Sequence, residues 1–205
     1  MLPYITKSKE GAWMKKEYRN VARTKKMIRA AFVELLGEKK NTEAITVGEL
    51  SERADIAKST FYNHYEDVSA VAEEFEDDLI DRLSVVFAEN EQEKPQKYED
   101  YLRKITAFVK SNEDLYRKAI LSSNVRCFNE KLKTFIAKKV FEKNITLPLS
   151  QNVSEKYVQI RFLTNAYVDT TVDYFRGTLD VTLDEINDMI IALLSNISVV
   201  AKFQS

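Results

Sequence analysis

Glycine and proline are rare in this chain, and their scarcity limits the possible folds more than any other feature of the sequence. Only 4 Gly and 3 Pro occur among 205 residues. Both residues interrupt helices and build turns, so a chain that nearly lacks them suits long helices with short connections. Apolar residues also recur at helical spacing along most of the chain. The sequence therefore predicts an all-α fold.

Composition counts against several classes of protein. One cysteine leaves no partner for an intrachain disulfide and suits a reducing cytoplasm. No apolar run approaches the ~20 residues of a membrane span, and the N-terminus lacks the apolar core of a signal peptide. The chain has one histidine, no His/Cys cluster with metal spacing and no Gly-rich phosphate loop. We therefore expect a cytoplasmic protein with no membrane partner, no catalytic residue, no metal and no cofactor.

Residues 46–65 predict two short helices joined by a tight turn. Val47, Leu50 and Ala54 recur at helical spacing and are expected to face inward. The second helix has one apolar anchor, Phe61, among side chains that donate to phosphate oxygens and base edges. A short polar helix braced by another is the shape that enters a DNA major groove. The expected DNA contacts from this helix are Lys58, Ser59, Thr60, Tyr62, Asn63 and His64.

A surface helix hairpin with an ordinary polar face is the alternative interpretation of residues 46–65. The flanking segments count against it. Residues 23–36 predict an amphipathic helix upstream, and Asp67 can cap a long helix over 67–90 downstream. A helix, a helix-turn-helix and a long following helix form a three-helix DNA-binding head on a stalk.

Residues 23–71, RTKKMIRAAFVELLGEKKNTEAITVGELSERADIAKSTFYNHYEDVSAV, resemble the N-terminal domain of the TetR family of transcriptional regulators. The family pattern runs from an Arg-Thr-Lys start through Ala-Ala to Thr-Val, and ends here in Ser-Thr-Phe-Tyr-Asn-His-Tyr. The chain departs from it at Asp55, where Gly is usual, at Ala57, where a capping Ser is usual, and at Val68, where a phosphate-binding Lys is usual. The resemblance implies a repressor that binds double-stranded DNA at a palindromic operator.

Charge is divided unevenly along the chain. Residues 1–65 hold 13 Lys/Arg and 8 Asp/Glu, a balance of +5, whereas residues 66–205 hold 18 and 24, a balance of −6. A basic cluster at the entry to the first helix neutralises phosphates, although such runs are also common in solvated arms. We predict a flexible basic arm at 1–18, a helix-turn-helix domain at 19–66, and a helical dimerisation and effector domain at 67–205. The further expected DNA contacts are Arg23, Lys25, Lys26 and Thr46.

The last two predicted helices, 154–176 and 182–203, carry more apolar residues than one face needs. Shorter helices are predicted at 96–110, 113–122 and 128–143. The resemblance implies that the last two helices of each protomer form a four-helix homodimer interface, and the alternative is packing within their own domain. The expected dimer residues are Tyr167, Thr171, Ile190, Leu194 and Ile197.

Aromatic residues are dense in the same region, and a buried tyrosine hydroxyl needs a polar partner. Members of the family commonly bind a small effector there, so the resemblance implies a small aromatic or apolar ligand that releases the repressor from DNA. The alternatives are a filled aromatic core, and a DNA-bound co-regulator or adaptor whose bundle binds a protein partner. The expected effector contacts are Tyr101, Phe108, Tyr116, Phe128, Tyr157, Phe162 and Tyr174.

Eight carboxylates and no basic residue occur over residues 66–81. Paired carboxylates can bind metals or perform acid–base chemistry. Val71, Phe75 and Leu79 recur among them at helical spacing, which favours an amphipathic helix instead. We therefore interpret the acids as the solvated face of the fourth helix.

Overall fold

The computed structural model describes residues 7–88, 97–122, 125–142 and 149–202, with side chains from residue 18 onward except 125–127 and 197–202. The all-α prediction is confirmed. A short 3₁₀ turn at Thr42–Ala44 follows the first helix. The helices are α1 Lys7–Lys39, α2 Val47–Arg53, α3 Lys58–Tyr62, α4 Val68–Ala88, α5 Tyr98–Ser111, α6 Glu113–Leu121, α7 Val125–Glu142, α8 Val153–Arg176 and α9 Leu183–Lys202.

The first compact unit, Met1–Phe75, packs α1, α2, α3 and the first turns of α4 around one apolar core. Ile28, Leu50 and Phe61 are fully buried, and Phe32 meets Phe75 edge to face with ring centroids 5.7 Å apart. Each fully buried side chain of this size contributes about 1.5–3 kcal/mol through the hydrophobic effect. These contacts hold the short helices α2 and α3, which are too short to be stable alone.

The second compact unit, Glu76–Ser205, is a helical bundle. Within it α7 packs against α8, α5 packs against α9, and α6 contacts both α7 and α8. Tyr116 of α6 is buried, and its hydroxyl donates a hydrogen bond of 3.0 Å to the carbonyl of Leu79 in α4. That bond satisfies the buried hydroxyl without a ligand.

The two units divide inside α4, between Phe75 and Glu76, and not at the predicted boundary after residue 66. The reason is that Val71, Ala72 and Phe75 are buried in the first unit with α1. The functional assignment of the domains stays a prediction.

The predicted limits of the first helix were wrong at both ends. α1 begins at Lys7 and not near Arg23, so residues 7–18 of the predicted flexible arm are helical. Apolar periodicity is weak there, but Lys, Glu, Ala and Met all favour helix. At the other end the helix passes through Gly37 and stops at Lys39. Lys40 has φ 53°, and its N–H donates 2.9 Å to the carbonyl of Leu36, a left-handed cap usually made by glycine.

The helix ends are capped by residues close to them in the sequence, including the cap predicted at Asp67. Thr46 and Glu49 form a reciprocal capping box at α2, and Thr182 and Glu185 make the same contacts at the start of α9. Asp67 accepts a 2.9 Å hydrogen bond from the N–H of Ala70 in the first turn of α4. Gly177 ends α8 in the left-handed conformation at φ 72°.

The acidic stretch of α4 is not wholly solvated, which corrects the interpretation of residues 66–81. Glu76 is 7% exposed and pairs with Lys131 of α7 at 3.3 Å, while Asp77 pairs with the same ammonium at 3.0 Å. Glu74 pairs with α1 inside the first unit. No cluster of potential metal ligands occurs in the described parts of the chain.

Acid should weaken the first unit through Glu49. A hydrogen bond from Lys39 at 2.6 Å, with those from Thr46, lowers the pKa of Glu49 from 4.5 to about 2. Because the folded pKa is the lower one, this stabilisation is present above pH 4.5 and is lost as pH falls towards 2. We expect Glu49→Gln to flatten the decline of the urea midpoint over that interval. The control is Glu52→Gln, which removes an exposed acid from the same helix; equal flattening by both variants would contradict the prediction.

Candidate functional site

The turn between α2 and α3 sets the direction of α3, the helix predicted to read DNA. α2 closes at Ala54, and Asp55 follows with φ 53°, a left-handed conformation that Asp tolerates better than most residues. α3 begins at Lys58, and the ring of Phe61 is fully buried against the ring of Tyr65, with centroids 5.8 Å apart. The opposite face of α3 is thereby turned outward.

α3 has little stability of its own. It is five residues long, and Ala57 at its N-cap makes no side-chain hydrogen bond. An uncapped N-terminus leaves free N–H groups in the first turn, and a single helical turn is not stable in isolation. The position of α3 therefore depends on Phe61 and on the residues that flank the helix.

The polar side chains of α3 are accessible, as the sequence predicted for a DNA-reading helix. Tyr62 is 59% exposed. Lys58, Ser59 and Asn63 are also exposed, whereas Thr60 and His64 are half-buried. Hydroxyls, an amide, an imidazole and an ammonium are thus gathered on α3 and the two residues that follow it, a set that suits phosphates and base edges.

The side chain of Lys58, the first residue of α3, lies close to the start of α2. A Cβ atom at Gly48 would lie 3.4 Å from both Cε and Nζ of Lys58, so the side chain crosses directly over that glycine. Thr46 is exposed beside it, and its hydroxyl is already engaged by the capping box with Glu49. The predicted contact residues Thr46 and Lys58 are therefore neighbours.

The basic residues of α1 fall into two groups. Arg23 and Lys26 are exposed. Lys25 is instead half-buried, 2.8 Å from Oε2 of Glu74 and 4.8 Å from the centroid of the Tyr65 ring. The structure therefore corrects the role expected for Lys25, because its ammonium is used inside the unit and not offered to phosphate.

The predicted effector residues do not surround one cavity. Tyr116 and Phe128 are core residues, and Phe108 packs edge to face on Tyr116. Tyr157 and Phe162 are 52% and 71% exposed. The ring of Tyr174 meets that of Phe175 edge to face, and the Tyr174 hydroxyl reaches Glu113 at 3.3 Å. Tyr101 alone of the seven lines the larger cavity of the bundle.

That cavity measures about 70 Å³ and has a largely aliphatic and aromatic lining. Its hydroxyl groups are partly engaged, since Tyr98 bonds Ser195 at 2.9 Å and Tyr167 bonds Thr106 at 3.0 Å. Among the described residues no charged side chain lines it. The lining residues are Tyr98, Tyr101, Leu102, Ile105, Ile136, Val140, Ile160, Leu163, Thr164, Tyr167, Ile190 and Leu194.

The predicted dimer patch is turned towards the protomer's own interior. Leu194 is 4% exposed and lines the cavity with Tyr167 and Ile190, while Thr171 is half-buried beside a second cavity of about 20 Å³. The side chain of Ile197 lies outside the described residues. These residues face α5 and α7 of the same protomer, so they do not form the centre of an exposed patch.

A different set of apolar residues on the same two helices is exposed. Val158 and Phe162 of α8 are 66% and 71% exposed, and Met189 and Leu193 of α9 are 50% and 63% exposed. Each pair is spaced i, i+4 and so lies on one face of its helix. The excess of apolar residues on these helices indicated an exposed apolar face, but the residues expected to form it lie on a different side of each helix.

Comparison with known proteins shows which proteins this chain is similar to. Residues 96–196 match a TetR family model described as the C-terminal region of a transcriptional regulator. A stretch of 77 residues is 30% identical to the HTH-type transcriptional regulator YxbF of Bacillus subtilis, described as uncharacterised. That match covers 36% of this chain and 20% of the other, so the chain spans about a fifth of that relative's length.

Solved structures share the fold over most of the chain. A protein described as a TetR-family transcriptional regulator from Syntrophomonas wolfei has a TM-score of 0.62 at 16% identity, covering 86% of this chain and 95% of its own. A TetR transcriptional regulator from Streptococcus agalactiae has a TM-score of 0.58 at 23% identity, covering 88% and 98%. The chain is therefore similar to TetR-family transcriptional regulators in the region that the family model covers, and it shares the fold of solved members of that family over most of its length.

Proposed function

We propose that this protein binds a specific DNA operator through α3 and represses transcription until a small ligand releases it. The observation that carries the proposal is the arrangement of α3, where buried Phe61 turns Tyr62 and its polar neighbours outward. Lys58 and exposed Thr46 extend that polar surface to the start of α2. Exposed Arg23 and Lys26 on α1 supply further positive charge for phosphates.

Replacing Tyr62 tests this assignment. A duplex enriched by the wild-type protein from a random pool serves as the probe in a mobility-shift titration. We expect Tyr62→Ala to weaken binding by roughly tenfold or more, in the range of a lost base or phosphate contact, without lowering the thermal midpoint. Tyr157→Ala is the matched control, because Tyr157 is similarly exposed but lies in the bundle. Wild-type affinity in the Tyr62 variant would contradict the assignment.

A palindromic operator requires a two-fold protein, and the exposed apolar face of α8 and α9 is the surface we assign to dimerisation. Val158, Phe162, Met189 and Leu193 leave large apolar side chains in water, which is unfavourable for a monomer. A second copy of the same face would cover them, and an obligate interface buries on the order of 2,000 Å² in total.

Two adjacent leucines distinguish this face from the patch first predicted. Leu193→Asp should give a folded monomer, since it places an unpaired charge on the exposed face. Leu194→Asp should instead unfold the bundle, because Leu194 is buried within the protomer. Light scattering and circular dichroism measure the two effects, with Val85→Asp, an exposed site on α4, as the control. A dimeric Leu193 variant would contradict the assignment.

The larger cavity is the site we assign to an effector. At about 70 Å³ it has room for roughly five waters, but most of its lining offers them no hydrogen-bond partner. An ionised ligand would lose its hydration without gaining a counter-charge. Half-buried Tyr98, Leu102 and Leu163 are part of the lining, so the cavity reaches the surface of the bundle. These features favour a small, neutral and largely apolar ligand.

Isobutanol and isobutyrate, which match in shape but not in charge, test that assignment. Isobutanol should raise the thermal midpoint of the wild-type protein and isobutyrate should not. Thr164→Leu should abolish the shift, because Thr164 is 6% exposed and its enlarged side chain would fill the cavity. Thr134→Leu on the exposed face of α7 should leave it intact. Equal shifts with both compounds would contradict the assignment.

A further inference from the structure

Four side chains from three parts of the first unit meet behind the recognition helix. Lys25 and Arg29 come from successive turns of α1, Tyr65 follows α3, and Glu74 lies on α4. The Glu74 carboxylate bridges both cations, with Oε2 at 2.8 Å from Nζ of Lys25 and Oε1 at 2.5 Å from a terminal nitrogen of Arg29. We call this group the Glu74 clamp.

The clamp is partly withdrawn from water. The side chains of Lys25, Arg29 and Glu74 are 34%, 31% and 29% exposed, and Tyr65 is 5% exposed. Burial by itself would raise the pKa of Glu74, but the hydrogen bond from Lys25 and the positive charges of Lys25 and Arg29 hold it below its ordinary value. The buried Tyr65 hydroxyl makes no hydrogen bond to the described residues, so Glu74 reaches Tyr65 through the ammonium of Lys25. Burial and the Glu74 carboxylate together raise the pKa of Tyr65. Glu74 is therefore an anion at neutral pH.

Tyr65 connects the clamp to the recognition helix. Its N–H donates 3.0 Å to the carbonyl of Phe61, the buried anchor of α3. The Tyr65 ring contacts both the ring of Phe61 and the ammonium of Lys25. Because α3 is short and uncapped, Tyr65 is the point at which its C-terminal end is held to α1, and Lys25 in turn is held by Glu74 of α4.

We infer that Glu74 is a positioning residue for DNA recognition, which it serves by holding Tyr65, Lys25 and Arg29 in one arrangement behind α3. The inference rests on the proposed DNA-binding function. A carboxylate in this unit repels phosphate and neutralises two cations, so simple electrostatics would have Glu74 weaken binding. If Glu74 instead acts by positioning its neighbours, replacing it should weaken binding to the enriched duplex.

Glu74→Gln and Glu66→Gln remove the same charge from the same unit, and Glu66 is exposed beside Tyr65. Each variant is titrated with the duplex that wild-type protein enriches from a random pool and with a scrambled duplex. Glu74→Gln should lower the ratio of enriched to scrambled affinity by about tenfold, the scale of a charge-assisted hydrogen bond. Its affinity for the scrambled duplex should stay equal or rise, because two cations are released. Glu66→Gln should keep the wild-type ratio.

Lys25→Met keeps the side-chain stem and provides a second test if Glu74→Gln does not fold. It should lower the same ratio while leaving the salt dependence of scrambled-duplex binding unchanged, since Lys25 is paired internally. Lys26→Met, at an exposed site, should reduce that slope by roughly 0.9 and keep the ratio. If Glu74→Gln or Lys25→Met kept the wild-type ratio of enriched to scrambled affinity, the inference about Glu74 would be wrong, while the proposed DNA-binding function would stand. A pool that wild-type protein fails to enrich would overturn the proposed function, and the inference with it.

Discussion

The burial of Phe61 is the constraint on which the first unit depends. α3 is five residues long and has no N-cap side chain, so neither helix propensity nor capping can hold it. Burial of the Phe61 side chain takes the apolar anchor of α3 out of water and thereby determines which face of the helix stays exposed. The polar residues of α3 that are assigned to DNA owe their exposure to that burial. Tyr65 and the Glu74 clamp then fix the helix at its other end.

The acidic stretch of α4 combines roles that its composition does not distinguish. Glu74 and Glu76 are two residues apart, yet the first pairs with cations of α1 and the second with Lys131 of α7. Asp77 shares the Lys131 ammonium, whereas Asp78 pairs with Arg82 on its own helix. Exposed ion pairs contribute little to stability, but partly buried ones restrict geometry because an unpaired charge there is costly. The same residue type is thus structural at one position and mainly a solvated charge at another.

The two C-terminal helices separate their apolar residues into an inner and an outer face. Leu194 packs inside the protomer, while its neighbour Leu193 is 63% exposed, and Phe162 is exposed on α8 where Thr164 is buried. The inner face leaves a cavity of about 70 Å³, and the outer face remains uncovered in the single chain. The same two helices therefore contribute both to the cavity proposed for ligand binding, together with α5 and α7, and to the face proposed for dimerisation.

The sequence by itself determined the helical class, the capping boxes, the recognition motif and the stop at Gly177, because each depends on residues within one or two helical turns. It did not determine which apolar residues face inward, since periodicity defines a stripe but not the partner that covers it. Nor did it reveal that Lys25 is held by Glu74, 49 positions along the chain. Such pairings follow from how helices cross, so only the tertiary structure decided whether a charge meets solvent or another side chain.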